Sequence, residues 1–161
     1  MRFLVFIFCF MLSACGFRPL YNADDAVLAQ SEAVQIQPIA GDGGYQMELI
    51  LQSKLNPRQS SVSPKYRLTV ALNDPTYTNQ SIRSDNFASL ERMQIKAHYQ
   101  LVSIDDGKTL ISANVDSNGL FNLIKDPYAT VVAQDNLYDN LIKLIAEDIA
   151  THVLAYFKGE D

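Results

Sequence analysis

The sequence has little cysteine and little histidine, with two of each in 161 residues. Cys9 lies in an apolar segment at the amino terminus, so a chain that loses this segment keeps Cys15 alone, which excludes a disulfide framework. His98 and His152 have no carboxylate or cysteine at the spacing that metal ligands need. The sequence also has no Gly-X-Ser-X-Gly turn and no phosphate-binding loop. We therefore expect no enzyme activity and no metal site.

Long hydrophobic runs are absent beyond the first residues of the chain. Residues 3–12 carry no polar side chain, follow Met1 and Arg2, and precede the small residues Ser13 and Ala14, the pattern of a bacterial export signal. As a helix this run would be roughly 15 Å long, about half of the ~30 Å hydrocarbon core of a membrane. We predict that residues 1–14 are a signal peptide that is removed, and that no later segment spans a membrane.

Acidic residues outnumber basic residues in this sequence. After removal of residues 1–14, the chain keeps 147 residues with 12 basic and 18 acidic side chains, a formal charge of −6. This balance argues against nucleic acid as a partner, because phosphates favour clustered Lys and Arg. The length suits one hydrophobic core. We expect a tether over 15–31 followed by a single domain over 32–161.

Cys15 follows the signal directly, in a setting that resembles the lipobox of bacterial lipoproteins, Leu12-Ser13-Ala14-Cys15. That resemblance implies that Cys15 becomes the first residue and carries N-acyl and S-diacylglycerol lipid, with no other cofactor. Each buried methylene contributes about 0.8 kcal/mol, so several chains hold a protein on a membrane. Gly16 in the second position implies the outer membrane of a Gram-negative cell. Ordinary cleavage, with Cys15 as a bystander, is the alternative.

Hydrophobic periodicity predicts the elements of the domain. The predicted strands are Ala33–Ile39, Tyr66–Leu72, Glu91–Ile104 and Thr109–Phe121; the predicted helices are Tyr45–Leu55 and Thr130–Phe157; the predicted linkers or loops are Asn22–Ser31, Asn56–Pro64 and Asn73–Asn86. Asp105 to Lys108 predicts a hairpin turn. We therefore expect an α+β fold, with one mostly antiparallel four-stranded sheet and two helices packed on one face. The other sheet face would be open, and its candidate residues are Lys65, Arg67, Arg92, Gln94, Lys96, His98 and Gln100.

The heptapeptide Cys15-Gly16-Phe17-Arg18-Pro19-Leu20-Tyr21 resembles the start of mature chains in the family of lipopolysaccharide (LPS)-assembly lipoproteins, LptE. A second similarity covers 126–149, with Tyr128-Ala129-Thr130 and a helix that ends Ile145-Ala146-Glu147-Asp148-Ile149. The long strand with Arg92 and Tyr99 and the turn Asp106-Gly107-Lys108 also fit the family. The order of elements agrees over nearly the whole mature chain, whereas residue-level matches are confined to its two ends.

The resemblance implies an LptE-like plug inside the LptD β-barrel, anchored by lipid at the periplasmic face of the outer membrane and acting with the barrel in LPS insertion. Because LPS carries phosphates, its contacts should be cations on an exposed strand or loop. Charge and strand face select Arg83, Arg92 and Lys96 as candidates, with a solubility role as the alternative. The alternative function is an auxiliary subunit of another envelope lipid-transport or secretion machine.

Overall fold

The computed structural model describes residues 25–82, 88–123 and 126–159. These residues form three helices and five strands. The elements are α1 (Asp25–Glu32), β1 (Val34–Ile36), α2 (Gly44–Leu55), β2 (Tyr66–Leu72), β3 (Thr76–Ile82), β4 (Ala88–Ser103), β5 (Thr109–Asn122) and α3 (Pro127–Gly159). No helix in these ranges is long and apolar enough to cross a membrane.

β4 is the central strand of a mixed sheet. One of its edges pairs antiparallel with β5 along most of its length, with Ala97 opposite Val115. The other edge pairs antiparallel with β3 over the first half of β4 and with β2 over its second half, so that β2 and β3 lie end to end. β1 extends the sheet beyond β2 in parallel orientation, with Val34 opposite Tyr66.

The division between β2 and β3 falls at residues 73–75. The backbone N–H of Asn73 still donates to the carbonyl of Lys96, at 2.9 Å. Pro75 then follows, and proline has no N–H to continue a ladder. One long edge of β4 is therefore covered by two short strands instead of one.

All three helices pack on the same face of the sheet. Helix α3 lies over β4 and β5, and its buried residues recur every three or four positions, as in an amphipathic helix. They are Leu141, Ile142, Ile145, Ala146, Ile149, Ala150, Val153 and Phe157. Helix α2 adds Met47, Leu51 and Leu55, and α1 adds Val27. The sheet contributes Leu68, Val70, Met93, Ile95, Ala97, Tyr99, Leu101, Val115 and Phe121 to the same core.

Helix α2 begins where the chain approaches itself most closely. A Cβ on Gly44 would lie 2.2 Å from the carbonyl oxygen of Ile39, which only glycine allows. Gly43, the residue before it, has φ of 77°, a conformation that side chains disfavour. The turn at 41–44 therefore needs glycine for geometric reasons.

The predicted fold class is confirmed at the level of α+β, and its details need correction. The sheet has five strands and is mixed, and the helices number three within the described residues. Two stretches that the sequence predicted as loops contain α1 and β3. β1 and β2 are parallel because the connection between them includes α2, and a helical crossover is the usual link between parallel strands.

Candidate functional site

The open face of the sheet is built by every second residue of β4. Met93, Ile95, Ala97, Tyr99 and Leu101 point into the core, as predicted. The residues between them point to the opposite face, since side chains alternate along a strand. Arg92, Lys96 and Gln100 are exposed there, and Gln94 and His98 are half-buried.

Neighbouring strands continue this polar surface, because residues directly opposite in an antiparallel pair share a face. Arg92 lies between Thr78 of β3 and Leu120 of β5. Lys96 lies opposite Asp116, and His98 lies between Ala71 and Asn114. Arg67 of β2 is also exposed on this face, opposite Val102.

Hydrogen bonds join amide, imidazole and carboxylate groups of the open face in two sets, which we together call the lattice. Gln94 Nε2 donates to Asp116 Oδ2 at 2.8 Å. His98 Nδ1 lies 2.9 Å from Asn114 Oδ1, and Gln100 Nε2 lies 3.2 Å from His98 Nε2. A neutral His98 with its proton on Nδ1 satisfies both contacts, donating to Asn114 and accepting from Gln100. The lattice therefore fixes the amide and imidazole groups and leaves the cations outside it.

The cations of this face have no carboxylate partner among the described residues. Among the described residues, no ion pair within 4.0 Å includes Arg67, Arg92 or Lys96. With Asp116 as the only acid among the described strand residues of this face, the face has a formal charge of +2, against −5 for the whole sequence. Arg92 and Lys96 stand four residues apart, about 13 Å along the strand. This face is therefore the cationic surface of an acidic protein.

Lys96 borders a depression of about 310 Å³ on the open face. Its lining includes Asn73, His98, Asn114 and Asp116, so it lies beside the division between β2 and β3. The sequence analysis missed this feature, although the Asn73-Asp74-Pro75 triplet is a turn signal that could have indicated a divided edge.

Two of the predicted site residues, Cys15 and Arg83, lie outside the described residues. The structure places Arg92 and Lys96 on the predicted face, and it groups them with Arg67, which the sequence analysis assigned to the face without a role. Lipidation at Cys15 and contact through Arg83 stay predictions.

The helical side of the molecule carries a polar contact through the core. The Tyr99 hydroxyl lies 2.8 Å from His152 Nδ1, and His152 Nε2 lies 3.7 Å from Asp148 Oδ1. The sequence analysis found no carboxylate at metal-ligand spacing from His152, whereas Asp148 lies one helical turn earlier and in contact with it. Burial raises the pKa of the Tyr99 hydroxyl, and the Asp148 carboxylate raises it further. Within the described ranges, no three His, Cys, Asp or Glu side chains could together hold a metal ion.

A cleft of about 340 Å³ separates the first turns of α3 from the β2–β3 junction. Its lining includes the acids Asp42, Asp74 and Asp135. Tyr138 closes one end by donating its hydroxyl proton to the carbonyl of Asp42, and Gln134 Nε2 donates to the Tyr77 hydroxyl at 2.7 Å. Burial, and then the charge of Asp42, raises the pKa of Tyr138.

No family model matches the chain, and no curated protein matches it. Solved structures with the same α+β fold include those of bacterial lipoproteins. A protein from Caulobacter crescentus CB15 described as a lipoprotein is 16% identical with a TM-score of 0.66, covering 84% of this chain and 98% of its own. Rare lipoprotein B from Shewanella oneidensis is 8% identical with a TM-score of 0.60, covering 78% and 98%. Lipoprotein B from Nitrosomonas europaea is 12% identical with a TM-score of 0.62, covering 78% and 83%. At these identities the likeness shows the fold.

Proposed function

We propose that this protein is a lipoprotein of the outer membrane, anchored at Cys15, that plugs the LptD β-barrel, assists its assembly and takes part in the insertion of LPS into the outer leaflet. The observation that carries the proposal is the fold, which is shared with lipoproteins that include rare lipoprotein B. The segment Cys15 to Tyr21, which resembles the start of LptE chains, adds support from the other end of the chain.

The architecture suits a plug. The interior of a wide outer-membrane barrel is polar. The open sheet face carries amide, hydroxyl and imidazole groups that can form hydrogen bonds with such an interior. Helix α3, with 33 residues, is about 50 Å long at 1.5 Å per residue, which is longer than the ~25 Å apolar band of an outer-membrane barrel. A tethered domain of this length can fill a barrel lumen while its acyl chains stay in the membrane.

The cationic face suits the phosphates of LPS. Arg92 can donate two parallel hydrogen bonds to one phosphate, and Lys96 adds a second cation beside the depression. Because no carboxylate of the described residues neutralises them, the two cations lose no ion pair when an anion binds. The negative charge of the whole chain limits this attraction to short range, where salt screens it least.

Charge reversal tests the LPS contact. The change Arg92→Glu with Lys96→Glu should weaken capture of LPS by the acylated protein at low salt by about tenfold. The matched control is Lys143→Glu with Lys158→Glu, which makes the same change in net charge at exposed positions of α3 and should bind within about twofold of wild type. Equal losses in both double variants would assign the effect to net charge and reject the contact.

Co-purification tests the partner. The tagged, acylated chain solubilised in detergent should bring down a large β-barrel. Recovery of an inner-membrane transporter complex without a barrel would reject the plug and favour the auxiliary subunit of another envelope machine.

The anchor is tested separately. Cys15→Ala should abolish incorporation of radiolabelled palmitate, with Cys9→Ala as the matched control that leaves it intact. Palmitate in the Cys15→Ala protein would show that the lipobox interpretation is wrong.

A further inference from the structure

The register of the sheet determines which residues of β5 direct their backbone N–H and C=O groups toward its outer edge. The carbonyl of Lys96 accepts from Asn73 on the β2–β3 side. Successive residues of a strand direct their N–H and C=O groups to opposite edges. Ile95 and Ala97 therefore direct theirs toward β5, where they face Ser117 and Val115.

The residues of β5 between these pairs must point their backbone groups away from β4. Asn114, Asp116 and Asn118 thus present N–H and C=O groups along the free edge. Within the described residues, no backbone or side-chain group bonds to these backbone atoms. The edge is an open ladder that an additional strand can complete.

Among the described residues, the other edges of the sheet have features that hinder pairing, and the outer edge of β5 does not. β1 has three residues and is followed by Pro38, and β3 has register shifts near its end. Edge strands that avoid pairing are usually short, bulged or charged. β5 has 14 residues, no proline, one charged side chain and a single register shift near its start.

A depression of about 400 Å³ lies beside this edge, between β5 and α3. Its acids are Asp116, Glu147 and Asp148, and its apolar wall is formed by Leu144 and Ile145. Leu144 is 53% exposed. Lys54 Nζ offsets one of the acids, at 3.1 Å from Glu147, and Asp148 Oδ1 lies 3.7 Å from His152 Nε2. With histidine counted as neutral, the acids of the lining against one lysine leave the depression with a formal negative charge.

We propose that the free edge of β5 binds an extended segment of a partner protein by strand addition, with a Lys or Arg of that segment in the acidic depression and an apolar side chain on Leu144. Main-chain hydrogen bonds would supply affinity and the two side chains specificity. A second copy of this chain fits less well, because antiparallel pairing of two β5 edges about this depression would bring the acids of the two copies together. The proposal goes beyond LPS insertion and does not rest on it.

Fluorescence anisotropy with defined peptides tests the proposal on the mature chain in detergent. The probe is a labelled peptide of alternating Thr and Val with one central Lys, and its matched control has Glu in that place. We expect the Lys peptide to bind about tenfold more tightly, because the exchange replaces attraction by repulsion. Equal binding of the two peptides would reject the role of the depression.

Two variants test the backbone ladder. Asn118→Pro removes one outward N–H without removing a donor to β4, and should weaken binding by about tenfold or more. Asn118→Ala keeps that N–H and should bind within about twofold of wild type. Unchanged binding by the folded proline variant would overturn strand addition.

A third measurement keeps the test decisive if the proline variant does not fold. A peptide N-methylated on every second residue cannot donate hydrogen bonds from one of its two edges. The form methylated on the docking edge should lose binding, and the form methylated on the opposite edge should bind like the parent. Undiminished binding of both forms would overturn the proposal. Self-association of the wild-type chain that Asn118→Pro abolishes would also overturn it, in favour of pairing between copies.

Discussion

The two faces of β4 differ in what surrounds them, although they share one backbone. On the helical face Met93, Ile95 and Leu101 are completely buried, and on the open face Arg92 and Lys96 stand in solvent. Burial of apolar area is the main stabilising contribution to a fold. The apolar contacts that stabilise the fold therefore lie on one face of β4, so substitutions on the other face should have little effect on folding.

The largest effect should follow from a cavity on the helical face. Leu101→Ala removes a side chain that is 0% exposed and should lower the free energy of unfolding by about 3 kcal/mol, within the usual 2–5 kcal/mol for such changes. Gln100→Ala, the adjacent position on the open face, should cost less than about 0.5 kcal/mol. Urea denaturation measures both, and similar losses would contradict the assignment of stability to one face.

A smaller effect should follow from overfilling the same face. A Cβ on Gly119 would lie 2.5 Å from Leu137 Cδ1, so Gly119→Ala should cost about 1–2 kcal/mol as the Leu137 side chain moves. In a double-mutant cycle, Leu137→Ala should relieve this cost, since the clash involves that side chain. Additive losses would show that Leu137 is not the cause.

Loss of the Tyr99–His152 contact between the sheet and α3 should lower the free energy of unfolding by about 1 kcal/mol, and this loss should depend on pH. Tyr99→Phe removes the hydrogen bond to His152. Because the folded protein raises the pKa of Tyr99 above its ordinary value of 10.0, this stabilisation is complete below pH 10 and is lost as pH rises through the raised pKa.

Unfolding curves at neutral and alkaline pH measure this difference. The gap between wild type and Tyr99→Phe should narrow above pH 10, at which the reference tyrosine ionises. Tyr128→Phe, at a position 77% exposed, is the matched control and should not change with pH relative to wild type. A constant gap for Tyr99→Phe would contradict the burial of its hydroxyl.

The smallest effect should come from the cations of the open face. Arg92→Glu with Lys96→Glu should change the free energy of unfolding by less than about 0.5 kcal/mol, because neither side chain forms an ion pair with another described residue. Thermal unfolding of the same variant used for LPS capture checks this. A loss of several kcal/mol would make these residues structural and remove the contrast between the faces.

The alternation along β4 and the stripe along α3 were predictable from the sequence, because burial on one face imposes a local period on each element. The structure confirms these elements and α2, and it confirms the open face on which Arg92 and Lys96 lie. The short elements were missed. α1 has eight residues, too few to be stable alone, so packing on α3 and not its own sequence makes it a helix.

β3 was missed because its sequence, TYTNQSI, is mostly polar. The Tyr77 ring contacts the core aromatic Phe121, at a distance of 6.4 Å between ring centroids. Its strand conformation comes from the backbone ladder with β4, and such pairing leaves little periodicity in the sequence.

The sequence by itself determined which residues of each long element are apolar, and hence the helical and open faces, because side-chain periodicity is a local property. It also carries the segments that resemble a lipobox and the start of LptE chains, because such motifs depend only on the order of residues along the chain. Only the tertiary structure decided that β2 and β3 share one edge of β4, that β1 is parallel, and that β5 keeps a free edge. These depend on contacts between distant residues, whose backbone hydrogen bonds are the same for every side chain and so are not recorded in the sequence pattern.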